Sequence, residues 1–298
     1  MKRLLIIGSS GFMGAHLVSH IAERSVDKYE VFGADVNELK GKPNGLKEFC
    51  SIDATDGMAI NMLLKEIEPD FVVNLAGTFG ASVYKDYLRI NVDISRHLLE
   101  SCLNLKRRPE KILIIGSAAE YGITASNPLD ESAETRPVTL YGLSKLMQTQ
   151  VSLYYHDAFN LPVIIARTFN VTGEGISPLL SVGSFGEQIA AAKDGDSIRV
   201  GSLKADRDFL PVQTVVERYM VLLERGKPGT VYNVCSGKPQ KMLAVVERMI
   251  RESGKRIKFI EDPAKVKKND VPCIYGSTAR FDELMADYPG KTSACPQL

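Results

Sequence analysis

Tyr141 and Lys145 are separated by three residues, and Ser117 closes the apolar run Ile112-Leu113-Ile114-Ile115-Gly116 upstream of them. On a helix, that spacing puts the phenol and the ammonium on one face. A free tyrosine, with a pKa near ~10, is a poor base at neutral pH. A neighbouring ammonium favours the phenolate and brings it toward the working range. The pair therefore predicts proton transfer to or from an oxygen. Ser117 falls at the carboxyl end of a strand, where open α/β sheets bind ligands, and its hydroxyl can polarise a carbonyl. Taken alone, the pair reads equally as an exposed helix contact and Ser117 as a turn serine.

The start of the chain decides between these readings. Gly8-Ser9-Ser10-Gly11-Phe12-Met13-Gly14 directly follows the apolar run Leu4-Leu5-Ile6-Ile7. A glycine turn between a buried strand and a helix lets backbone N–H groups approach a pyrophosphate at the helix N-terminus. The spacing is G-x-x-G-x-x-G, looser than the commoner dinucleotide fingerprint. Asp35 closes the next strand-like run, Val31–Ala34, 21 residues after Gly14. A carboxylate there accepts hydrogen bonds from the adenosine ribose and repels a 2′-phosphate. With no Arg following, NAD(H) is favoured, with NADP(H) the alternative.

The elements that must hold these residues follow from the apolar runs. Runs recur at Leu4–Ile7, Val31–Ala34, Phe71–Leu75, Ile112–Ile115, Val163–Ala166 and Val231–Val234, separated by helical stretches such as His16–Arg24, Ile90–Leu105 and Leu143–Phe159. This alternation predicts an α/β fold, a Rossmann-type doubly wound parallel sheet. After Arg167, glycines at 173, 175, 183 and 186 predict a long loop that orders over a ligand, and 236–298 reads as part of a smaller lobe ending in a loose tail, Tyr288–Leu298. The expected division is 1–168 with 206–235 for the dinucleotide and 169–205 with 236–298 for the substrate.

Composition narrows the function classes. The 298 residues are 44% apolar and 24% charged with a net charge of +1, a balance that gives no bulk attraction to nucleic acid or an anionic membrane. No apolar run spans a bilayer, and the glycines and serines interrupt the N-terminal run too soon for a leader. Five cysteines without a C-x-x-C spacing read as thiols in a reducing compartment, so the expected location is cytoplasmic. His16 and His20 have metal-ligand spacing but no third ligand nearby, and no metal is expected.

Together these residues resemble the extended short-chain dehydrogenase/reductases that act on nucleotide sugars, the NAD-dependent epimerase/dehydratase family. The matching pieces are Gly8–Gly14, Asp35, Ser51–Asp53, Asn74–Gly77, Asn91-Val92, Gly116-Ser117 through Tyr121-Gly122, Tyr141–Lys145 and Arg167–Asn170. Arg207-Asp208-Phe209, Val231–Gly237, Val271-Pro272 and Gly276-Ser277 most resemble the GDP-6-deoxy-4-keto-mannose reductases, which make GDP-rhamnose. The resemblance implies a catalytic set of Ser117, Tyr141 and Lys145. It implies a cofactor held by Gly8, Ser10, Gly11, Phe12, Met13, Gly14, Asp35, Asp53 (at the adenine), Ala54, Leu75, Ala76, Gly77 and Asn91 (supporting the lysine), as well as by Tyr141 and Lys145. For the substrate it implies Ser117, with Asn170 and Arg207 on the nucleotide diphosphate, although Arg207 could instead pair with Asp206 or Asp208. Glu120 reads as either a substrate contact or a turn carboxylate. A GDP-sugar is the favoured substrate and a homodimer is implied.

Two departures are informative. Related 4,6-dehydratases carry an acid two positions before the tyrosine of the Y-G pair, where this chain has Ala119, with Glu120 one place later. That favours reductase or epimerase chemistry over dehydration. Asp287-Tyr288-Pro289-Gly290 stands where the family usually has G-W-x-P and is a poor match to it. A non-catalytic dinucleotide sensor is the reading from another class, and the retained Tyr141/Lys145 pair speaks against it.

Overall fold

The run Leu4–Ile7 lies in the middle of the molecule because both faces of its strand are covered. In the computed structural model, which describes residues 1–37, 45–266 and 271–286, Leu4, Leu5 and Ile6 have no exposure at all. Each contributes roughly 1.5–3 kcal/mol by burial. Alternation sends Leu4 and Ile6 into one apolar cluster and Leu5 and Ile7 into the other.

The first part of the chain runs β1 (Lys2–Ile7), α1 (Phe12–Arg24), β2 (Tyr29–Asp35), β3 (Glu48–Ser51), α2 (Gly57–Ile67), β4 (Phe71–Asn74), α3 (Tyr84–Tyr87), a π-helical turn Leu88–Asp93, α4 (Ile94–Leu103), β5 (Lys111–Ser117), α5 (Leu140–Phe159) and β6 (Val163–Thr168). It continues with β7 (Asn170–Thr172), α6 (Ser181–Ala191), β8 (Ser197–Val200), β9 (Asp206–Pro211), α7 (Val212–Arg225), β10 (Thr230–Val234), β11 (Pro239–Lys241), α8 (Met242–Glu252), β12 (Lys258–Glu261), β13 (Cys273–Ile274) and α9 (Ala279–Met285).

Seven parallel strands form the large sheet in the order β10-β6-β5-β4-β1-β2-β3. Helices α1 and α7 cover one face, and α2, α4 and α5 the other. This is the doubly wound fold expected from the alternating runs. The order reverses between β1 and β4, which opens a crevice at their carboxyl ends.

The small lobe has its own apolar cluster, built from Phe185, Ile189, Ile198, Phe209, Val246 and their neighbours. A sheet of β7, β9, β11 and β13 and the pair β8–β12 belong to this side of the chain. Because β9 pairs with β7, β11 and β13, the return to the large sheet starts at Val212 rather than at residue 206. The expected long glycine loop is also shorter: Gly183 and Gly186 lie inside α6. The tail Tyr288–Leu298, the segment Asp287–Gly290 and Cys295 fall outside the described residues. Among the described residues, Cys50, Cys102, Cys235 and Cys273 are free thiols, and no helix is long and apolar enough to cross a membrane.

Asp208 joins the lobes. Its fully buried carboxylate accepts the backbone N–H groups of Ser236 at 2.6 Å, Gly237 at 3.0 Å and Gly276 at 3.3 Å. Burial pushes its carboxyl above the usual range, and these hydrogen bonds pull against that rise. Asp208→Ala leaves three interior donors without an acceptor. Thermal and urea melts should show a loss of about 3–5 kcal/mol.

Candidate active site

The glycine loop is shaped by close approach. Gly8 turns at φ +85°, and a Cβ there would lie 2.7 Å from the Ala76 nitrogen. A Cβ at Gly14 would lie 2.2 Å from the Gly8 carbonyl oxygen, so α1 packs directly against the turn. Gly11 precedes α1, and neither a capping side chain nor an acidic residue occupies its first turn. The first N–H groups of α1 are thus available to an anion. These are the features a dinucleotide pyrophosphate needs, and the surrounding carboxylates suit the rest of the molecule.

Asp35 ends β2 beside the loop. One carboxylate oxygen accepts the Ser10 N–H at 3.1 Å and the other the Asn37 N–H at 3.1 Å. Asp53, exposed after β3, accepts both the backbone N–H and the hydroxyl of Thr55, which hold its carboxyl below the usual range. Ala54 is buried beside it. Leu75 donates its N–H to the Ile7 carbonyl and Ala76 to the Asn74 side chain, tying the exit of β4 to the end of β1. Gly77 leads into Thr78, whose N–H and carbonyl both bond the Asn91 amide at 2.7 and 2.9 Å. Asn91 lies in the π-helical turn, fully buried, and also donates to the Ser144 hydroxyl at 2.8 Å. A π-turn at such a place re-aims a side chain that a regular helix would direct elsewhere.

The three expected reacting residues come together. Helix α5 starts at Leu140, where Thr139 caps it by accepting the Gly142 N–H at 3.0 Å, so Tyr141 sits in the first turn. Ser117 lies close enough to the Tyr141 hydroxyl to pull its proton affinity down. Lys145 is buried one turn along and donates to the Ile115 carbonyl. Burial lowers Lys145 to about 8, with Glu120 opposing the fall. The expected lowering of Tyr141 is not found. Burial raises it, Ser117 lowers it, and Glu120 and Tyr87 raise it further. Tyr141 is therefore a phenol at neutral pH, a proton donor rather than a base.

A family model for the NAD dependent epimerase/dehydratase family matches residues 4–235. The chain belongs to that family. It is 30% identical to a GDP-6-deoxy-D-mannose reductase of Pseudomonas aeruginosa, over 95% of this chain and 90% of that protein. It is 26% identical to a GDP-6-deoxy-D-talose 4-dehydrogenase of Aggregatibacter actinomycetemcomitans, over 96% and 92% of the two chains. Among solved structures, RMD from Pseudomonas aeruginosa complexed with NADPH superposes with a TM-score of 0.81 at 28% identity, covering 95% of this chain and 92% of that one. The family's NAD(P) dependence agrees with the glycine cradle.

The remaining family positions are less uniform. Glu120 is fully buried, with one oxygen on the Ser117 N–H at 2.7 Å and the other on Arg167 at 3.0 Å. Of its two readings it takes the turn carboxylate, because a side chain with no exposed surface does not meet a substrate. Asn170 donates to the Asp208 carbonyl at 3.0 Å, and Arg207 to the Asp206 carbonyl at 2.9 Å, so both lie along β9 and its neighbour β7. His16 bonds the Glu174 carbonyl at 2.9 Å, and the described residues contain no group of three metal-binding side chains. A cavity of about 910 Å³ opens beside Thr172, Glu174, Ile176, Val245 and Met249. None of Ser117, Tyr141 or Lys145 lines it, so side-chain geometry, not cavity size, locates the reacting centre.

Reasoning from sequence missed Arg167 as a partner of Glu120, and Ser144 and Tyr87 as neighbours of the reacting residues. Ser144 lies inside the Tyr141–Lys145 spacing, which was the signal available, and its link to Asn91 is seen only in the fold. The burial of Lys145 has a measurable consequence. As pH rises through about 8 the ammonium is lost, so kcat should fall above that value by about tenfold per pH unit, as a pH–rate profile would show.

Proposed function

We propose that this chain reduces the 4-keto group of a nucleotide-linked 6-deoxyhexose, with GDP-4-keto-6-deoxy-mannose the favoured substrate and GDP-rhamnose the product. The observation that carries this is the meeting of Ser117 at the end of β5 with Tyr141 at the capped start of α5 and the buried Lys145 one turn along. The likeness to the Pseudomonas aeruginosa GDP-6-deoxy-D-mannose reductase over nearly the whole chain supports the substrate class.

When bound, the reduced nicotinamide supplies a hydride to C4. Tyr141 donates its proton to the oxygen at C4, which becomes the hydroxyl of the product, and regains a proton from solvent. Ser117 donates a hydrogen bond to the same oxygen as negative charge develops there. Lys145 holds the nicotinamide ribose, and its charge stabilises Tyr141 after the proton has left. The carboxylate of the Ser117 turn is turned inward onto Arg167, so it does not serve the water elimination of a dehydratase.

The loop Gly8, Ser10, Gly11, Phe12, Met13 and Gly14 holds the pyrophosphate, Asp35 the adenosine ribose and Asp53 the adenine. Ala54 and Leu75–Gly77 line the crevice, and Asn91 fixes its floor. Asn170 and Arg207 take the nucleotide diphosphate, for which a guanidinium fork suits two phosphate oxygens. The α4–α5 face, with Tyr154 and Phe159 exposed, fits a homodimer, and a cytoplasmic location suits free thiols and a nucleotide substrate. Nucleic acid and membranes are not partners in this reading.

Two tests follow from it. Purified protein given GDP-4-keto-6-deoxy-mannose should consume NADH and yield a 6-deoxyhexose; Tyr141→Phe should lower kcat by at least about 100-fold with cofactor binding unchanged. Full activity in that variant would refute the assignment, and bound NAD without net oxidation would point to an epimerase. Asp35→Asn removes repulsion from a 2′-phosphate, so the ratio of kcat/KM for NADPH to that for NADH should rise by about tenfold. An unchanged ratio would place cofactor choice elsewhere.

A further inference from the structure

Behind Ser117 lies an ion pair with almost no contact with solvent. Glu120 is fully buried, and the Arg167 side chain is 4% exposed. Both Nε and Nη2 of Arg167 reach Glu120 Oε2 at 3.0 Å. The guanidinium lies 4.5 Å over the Tyr121 ring, whose hydroxyl is fixed in turn by Asp130 and Asn233. Arg167 Nη1 has no acceptor in hydrogen-bonding geometry. A pair this buried and incompletely satisfied is a weak source of stability. Its geometry has a direct reading at the reacting centre.

The second oxygen of Glu120 accepts the Ser117 N–H at 2.7 Å, while the Ser117 hydroxyl accepts the Ala119 N–H at 3.2 Å. This reciprocal capping box closes the short turn Ala118–Glu120. With one lone pair held by Ala119, the hydroxyl of Ser117 is restricted in rotation and its proton is left to donate. Space has been kept for the carboxylate too: a Cβ at Gly116 would lie 2.6 Å from Glu120 Oε1. Strand β6 brings Arg167 beside this turn through the pairing of Gly116 with Arg167.

We propose that Glu120, locked by Arg167, is a positioning residue that holds the Ser117 turn so that the serine hydroxyl donates toward the reacting oxygen. It acts through Ser117 and does not touch substrate. The inference rests on the role given to Ser117 above, and the test separates the two. The hydrogen bond from the Ser117 N–H to Glu120 carries this role, and Arg167 balances the buried charge beside it.

The experiment is a double-mutant cycle on kcat with Ser117→Ala, Glu120→Ala and both together, using the full chain, NADH and the 4-keto sugar nucleotide. Ser117→Ala should lower kcat by about 100-fold, as for loss of one oxyanion donor. Glu120→Ala should lower it by about 30-fold or more with KM for NADH within about twofold, since the glycine loop is untouched. The double variant should lose no more than about threefold beyond Ser117→Ala. Losses that multiply, or full kcat in Glu120→Ala, would overturn the inference. Full kcat in Ser117→Ala would overturn the role of Ser117 itself. If Glu120→Ala does not fold, the cycle is run with Glu120→Leu/Arg167→Met, which lacks the acceptor, and Glu120→Gln/Arg167→Met is its control. That control removes both buried charges and keeps an acceptor for the Ser117 N–H, so it should recover kcat to within about fivefold of the parent. A folded control with kcat reduced as far as in Ser117→Ala would refute a role through that hydrogen bond.

Discussion

The contact on which the site depends is the one between the first turn and the exit of β4. Gly8 lies so close to Ala76, and Gly14 so close to Gly8, that no side chain fits at either glycine. That closeness brings α1 down onto the end of β1 and sets the crevice between β1 and β4. The backbone rails beside it, the Leu75 and Ala76 N–H groups bonded to Ile7 and Asn74, fix where the β4 loop begins. Thr78, Asn91 and Ser144 then carry this placement to the start of α5, since the Ser144 hydroxyl donates to the Tyr141 carbonyl at 2.8 Å. A chain of hydrogen bonds thus runs from the cofactor loop to the reacting tyrosine without passing through solvent.

Burying that many polar groups is costly unless each finds a partner. Asn74 and Gln148 share the Ser95 hydroxyl, each at 2.9 Å, beneath the same helix. The seam between α4 and α5 is therefore held by directional bonds where an apolar seam would tolerate sliding. This suits a helix that must present Tyr141 and Lys145 in one orientation. The burial that makes the seam rigid is also the largest influence on the electrostatics: it drives the lysine down and the phenol up.

Much of this was legible in the residues. The run Leu4–Ile7, the glycine spacing and Asp35 were enough to indicate the sheet and the cofactor crevice, because each depends on local rules of turn and strand. The sheet's edge was less visible. Strand β3 carries Glu48 and Ser51 exposed and Phe49 and Cys50 only partly buried, so it lacks an apolar signature. The amphipathic α2 and α7 carry the i, i+3, i+4, i+7 stripe of a helix, Ile60-Leu63-Leu64-Ile67 in the first and Val212-Val215-Val216-Tyr219 in the second. The Glu120–Arg167 pair could not be read from spacing at all. The partners are far apart in sequence and meet only because β5 and β6 are neighbours in this register. The direction at Tyr141 is hidden for a related reason: spacing reports which groups are near, and says nothing of how much water surrounds them.

The two ends of a nucleotide sugar make different demands, and in the proposed reading different sheets meet them. The reacting carbon needs a fixed geometry, which the large sheet provides through β5 and the capped start of α5. The nucleotide needs binding energy that can be spent in aligning that carbon. Strand β9 links the two. Its Asp208 is turned inward onto three N–H groups from the segments after β10 and β13, while the strand's alternation puts Arg207 on the opposite side. A slip of one residue in β9 would exchange the places of Asp208 and Arg207. The buried Asp208 therefore fixes the register on which any phosphate contact by Arg207 depends.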